Sequence, residues 1–134
     1  GKPFTEEVEN YIISALSPQY IKGFTLLGGD PFEPENQVTL APFLEKIKSV
    51  YPDKSIWCYT GYDYEKDLLT GKKGDAELVM RMLNSIDVLV DGRFVEELKD
   101  LNLRFRGSSN QRIICVPQSL GQDKVVLWDE NSQL

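Results

Sequence analysis

Three short apolar runs, residues 24–27, 55–60 and 86–91, alternate with segments of helical period. This alternation constrains the fold more than any other feature of the chain. In the segment 5–16, Val8, Tyr11, Ile12, Ala15 and Leu16 fall at i, i+3, i+4, i+7 and i+8, the spacing of one helix face. Thr5 can cap that helix, Glu6 and Glu7 suit the positive end of its dipole, and Ser17-Pro18 ends it. A second helical period covers 36–51, where Pro42 is expected to kink or restart the helix. Residues 63–69 read as a short helix, and Asp75 caps another over 76–83. A helical turn over 94–98 and two further strands, 113–116 and an edge strand 125–128, complete the pattern. Strands separated by helices require parallel βαβ units with right-handed crossovers. The expected fold is α/β, an open, curved parallel sheet forming one domain over 1–134.

Three successive strands end alike. Leu26-Leu27 leads into Gly28-Gly29-Asp30-Pro31, Cys58-Tyr59 into Thr60-Gly61, and Leu89-Val90 into Asp91-Gly92-Arg93. In a parallel sheet the carboxyl ends of all strands share one rim, where α/β proteins bind their ligands. Glycines at such ends leave backbone groups open to close approach, although glycine also serves ordinary turns. The segment 106–112 precedes its strand, so in a parallel sheet it belongs to the opposite rim, in a capping or partner-contact role. Tyr59, Tyr62 and Tyr64 either line the pocket or pack beside it.

The chemistry open to the chain is limited by what it lacks. It has no histidine, so no imidazole serves as acid, base or ligand. Its 21 acidic and 15 basic side chains give a net charge of −6, which argues against a nucleic-acid or anionic-membrane binder. No apolar run is long enough to span a membrane. Cys58 and Cys115 form no disulfide framework, which points to a reducing, cytoplasmic setting.

Four segments taken in order, GFTLLGGDPFEPENQ, IWCYTGY, DVLVDGRF and RGSSNQRII, resemble the activating proteins of anaerobic, class III ribonucleotide reductases. The likeness covers 4–116. That family belongs to the radical S-adenosylmethionine enzymes, so the resemblance implies a partial (β/α) barrel. It implies a 4Fe-4S cluster held by a CxxxCxxC triad, with the cofactor's methionine on the open iron. No such triad stands in this sequence. The expectation is therefore a truncated domain, missing the first strand and cluster loop and inactive without them. A sheet without that first strand would expose an edge prone to pairing.

The resemblance also implies site residues. Gly28, Gly29, Asp30 and Pro31 match the motif whose backbone holds the cofactor's amino group. Thr60 and Gly61 match a strand end near its ribose and methionine portions. Asp91 and Arg93 match a third, where a carboxylate and a cation can complement the zwitterionic methionine. No side chain is expected to act as acid or base, and none here as a metal ligand. In the family, reductive cleavage of S-adenosylmethionine yields a radical that takes hydrogen from a glycine of the reductase. The implied partners are the catalytic subunit of that reductase and an electron donor such as flavodoxin. Activation of another glycyl-radical enzyme, and a non-catalytic α/β binding module, remain open alternatives.

Overall fold

A computed structural model describes residues 5–26, 29–103, 105–106 and 108–129. Helix α1 (Glu6–Ala15) starts where Thr5 accepts the amide of Val8. It leads to strand β1 (Gly23–Leu26), helix α2 (Pro34–Val50) and strand β2 (Ser55–Tyr59). A π-helical turn (Tyr64–Leu68) and helix α3 (Ala76–Ser85) precede strand β3 (Val88–Asp91). A 3-10 turn (Glu96–Leu98), strand β4 (Arg112–Cys115) and helix α4 (Val116–Gln122) follow. Among the described residues no helix is long and apolar enough to cross a membrane.

The sheet order is β1-β2-β3-β4. β1 with β2 and β2 with β3 pair in parallel, as expected. β4 runs antiparallel to β3, with Asp91 opposite Arg112 and Val88 opposite Cys115, so the sheet is mixed rather than parallel throughout. The reason lies in the connection. Parallel neighbours need a crossover, usually helical, and residues 92–111 contain only the short 3-10 turn. Residues 125–128 make a single bridge, Leu127 to Ile114, rather than a full edge strand. Helix α4 was not expected; Pro117 sits in its first turn, where a missing N–H costs nothing. α2 is continuous through Pro42, whose exposed position leaves the unpaired carbonyl of the preceding turn to water.

One face of the sheet carries the core. Ile56, Cys58, Leu89 and Ile114 lie in one row and are fully buried against the helical layer. α2 and α3 supply Phe43, Leu44, Ile47, Val79, Met82 and Leu83 to the same core. Truncating any of these to alanine removes about 2–5 kcal/mol. Gln37, wholly buried, ties the start of α2 to the loop before α3. Its amide donates to the carbonyls of Phe32 and Lys73 and accepts from the Asp75 amide. The other face is covered near β2 by an aromatic trio. Trp57, Phe105 and Trp128 stand 5.0–5.7 Å apart, centre to centre. The carbonyl of Phe105, a residue at φ +68°, accepts the Tyr59 hydroxyl.

Candidate functional site

The carboxyl ends of β1, β2 and β3 lie on one rim, and a cleft of about 240 Å³ opens between them. It is lined by Asp30, Tyr59, Thr60, Gly61, Gly92, Phe94 and Gln111. The first two strand ends are joined by a single carboxylate. Asp30 accepts the Thr60 hydroxyl at 2.8 Å, the Gly61 amide at 2.8 Å and the Phe32 amide at 3.0 Å. Its carbonyl accepts the Asn36 side chain and the Glu33 amide, which fixes the turn into α2. Three donors on one carboxylate make this junction rigid without any bound ligand. Beside it, Gly29 is exposed, and a Cβ added there would meet no atom within 4 Å.

The third end is built differently. Asp91 is buried, and its side chain points to the helix-covered side of the sheet, in the row of Leu89. There it receives both arms of the Arg112 guanidinium, at 3.0 and 2.7 Å, and the Tyr64 amide at 2.8 Å. Arg112 also bridges to Glu65 at 2.7 Å. Its hydrogen bond to Asp91, with the one to Glu65, outweighs burial and makes the guanidinium more basic than usual. The Tyr64 amide is free for Asp91 because it opens the π-helical turn and, like the first amides of any helix, has no acceptor within it; Asp63 caps the amides of Glu65 and Lys66. π-helical turns of this kind often border functional sites.

Of the residues expected at the site, Asp30, Thr60 and Gly61 meet in the cleft. Gly28 lies outside the described residues. Pro31 is buried behind the turn rather than lining the cleft. Asp91 braces the wall from behind, paired with Arg112. Arg93 is exposed, and its carbonyl accepts the Asn110 side chain. The placing of 106–112 at the opposite rim is also corrected: because β4 runs antiparallel, its start shares the rim of the cleft. The signal for this was the near absence of helix between β3 and β4. Gln111, Arg112 and Phe94 are the residues that sequence reasoning passed over.

Tyr62 sits at the edge of the junction and donates a short hydrogen bond to Glu33. That bond is the main reason its hydroxyl is pushed up to about 12. The Lys73 ammonium lies 4.7 Å from its ring centre. Burial, with the nearby charge of Asp30, pushes the Cys58 thiol up.

A family model described as a 4Fe-4S single cluster domain matches residues 1–114. A protein of Pasteurella multocida is 43% identical over 115 residues, covering 84% of this chain and 69% of its own. One of Escherichia coli K12 is 42% identical over 113 residues, covering 83% and 68%. One of the phage T4 is 36% identical over 113 residues, covering 84% and 65%. All three are named anaerobic ribonucleoside-triphosphate reductase-activating protein. The chain belongs to this family of activating proteins. No solved structure matches it.

The residues described here do not by themselves fit the iron–sulfur cluster of that family. No three of their His, Cys, Asp or Glu side chains gather where a metal ion could bind. Cys58 and Cys115 are both buried and lie on opposite faces of the sheet, so they cannot share a cluster, and the Cys58 thiol, pushed up by burial, is a poor ligand.

Proposed function

We propose that this chain is the cofactor-binding body of a radical S-adenosylmethionine activating enzyme whose partner is an anaerobic ribonucleotide reductase. The observation that carries the reading is the junction of Asp30, Thr60 and Gly61 beside an open Gly29, facing Gly92 across one cleft. The relatives' names supply the reductase, and a flavodoxin-type electron donor belongs to the same reading. S-adenosylmethionine, when bound, would supply the electrophilic sulfonium whose carbon–sulfur bond is cleaved on one-electron reduction to start radical chemistry.

The chain's own residues bind and orient. Asp30 has its carboxylate satisfied from within, so its task is to hold two strand ends at a fixed separation. A ligand's ammonium group then meets the bare backbone of the Gly29 turn. Asp30 and Glu33 give this corner a negative field, which favours a cationic sulfonium or ammonium and opposes a phosphate. Phe94, 47% exposed, offers an aromatic face at the lip against which a nucleoside base can pack. Thr60 and Gly61 form the floor between them.

Titration of S-adenosylmethionine into the wild-type chain and its Gly29→Val variant tests the reading. The expected result is saturable binding by the wild type and loss of binding by a variant that remains folded, since open space surrounds that position. Equal affinity in the two proteins overturns it.

A further inference from the structure

The segment 108–112 has no part in the reading above, yet its hydrogen bonds converge on the cleft. We propose that Gln111 is a positioning residue for the ligand: its side-chain amide fixes the Gly92 wall at the distance from the Asp30–Thr60–Gly61 junction that the ligand requires. The inference rests on the proposed function for the identity of the ligand.

Both ends of the amide are engaged. Nε2 donates to the Gly92 carbonyl at 3.0 Å, and Oε1 accepts the Ser108 amide at 3.1 Å. The Gly92 amide in turn donates to the Tyr62 carbonyl at 3.1 Å, so one glycine joins the second strand end to the β4 start. Gly92 has φ +98°, and an added Cβ would lie 3.6 Å from the Gln111 Cα, against the backbone that the clamp draws close. The rest of the segment secures the same wall. Asn110 donates to the Arg93 carbonyl at 2.8 Å, and Ser108 Oγ accepts the Val95 amide at 3.2 Å. Arg106 holds the Gln111 carbonyl at 2.6 Å. Gln111 alone among these side chains both anchors the wall and lines the cleft. Asp91 and Arg112 brace the strand from behind and do not face the ligand. Stability and ligand geometry are therefore carried by adjacent but different residues.

The test compares Gln111→Glu and Gln111→Met with the wild type. Glutamate keeps the acceptor for Ser108 and loses the donor to Gly92; methionine keeps the volume and loses both. Two readouts are taken, S-adenosylmethionine affinity by equilibrium titration and amide hydrogen exchange over 92–98. Expected is an affinity loss of about tenfold in both variants, with exchange faster over 92–98 and melting temperatures near that of the wild type. Wild-type affinity in either variant overturns the proposal, as does an affinity loss that only follows a lowered melting temperature. Should the wild type itself fail to bind, the proposed function falls, and exchange still decides the clamp: unchanged protection over 92–98 overturns it.

Discussion

Asp30 and Asp91 stand at corresponding places, each just past or at the end of a strand on the same rim, yet they do opposite work. Asp30 faces the cleft, is partly open to solvent, and gathers a hydroxyl and two amides from its neighbours. Asp91 turns to the helical layer, is 1% exposed, and takes a guanidinium and an amide. The difference follows from strand alternation. A residue within β3 must point to one face or the other, whereas Asp30, four residues past β1, is placed by a turn. Strand-end carboxylates are thus not interchangeable: one shapes the site and the other holds up its wall.

The largest effect that separates them is on stability. Asp91→Ala leaves the Tyr64 amide without its acceptor and strips Arg112 of its main partner. Only the Asp91 side of the pair is buried, and Arg112, about a third exposed, keeps Glu65. The expected cost is therefore that of lost charge-assisted hydrogen bonds and a stranded amide, about 2–3 kcal/mol. Urea unfolding measures this; a loss below about 1 kcal/mol would contradict the bracing role. Asp30→Ala should cost less stability, about 1–2 kcal/mol, because Asp30 is itself partly open to the cleft and at least the exposed Gly61 amide can turn to water. Its ligand affinity should nevertheless fall at least tenfold, the reverse of the balance at Asp91. If both variants lose affinity only in proportion to lost folding, the contrast fails. Gly92→Ala, forced into a left-handed conformation, should destabilise by roughly 1–2 kcal/mol in the same assay.

The smallest effect concerns Tyr62. Its hydroxyl, normally titrating near 10, is held protonated up to about 12 by Glu33. A folded-state value above the unfolded one means stability that is complete below pH about 10 and lost as pH rises through about 12. Tyr62→Phe should therefore flatten the alkaline limb of the stability profile between those values. Identical limbs in the two proteins would show that the bond to Glu33 does not persist in solution.

Much of this was legible in the sequence, for physical reasons that can be named. Helix α1 and its Thr5 cap, the Asp75 cap of α3 and the three strand ends follow from period, capping chemistry and turn residues. These signals are local. The direction of β4 is not local, and a rule suited to parallel sheets carried 106–112 to the wrong rim. The ion pair of Asp91 escaped the sequence for the same reason: Arg112 is 21 residues away and is brought opposite only by antiparallel register. Charge pairs across a sheet are set by pairing that a single strand does not encode.

The central claim is that three strand ends form one binding cleft for a sulfonium nucleoside. Amide hydrogen exchange with and without S-adenosylmethionine tests it most directly. The account predicts slower exchange confined to three separated stretches, 29–32, 60–62 and 92–95, and little change over α1 and the buried strands. Protection at only one of the three, or none with ligand in excess, would contradict it.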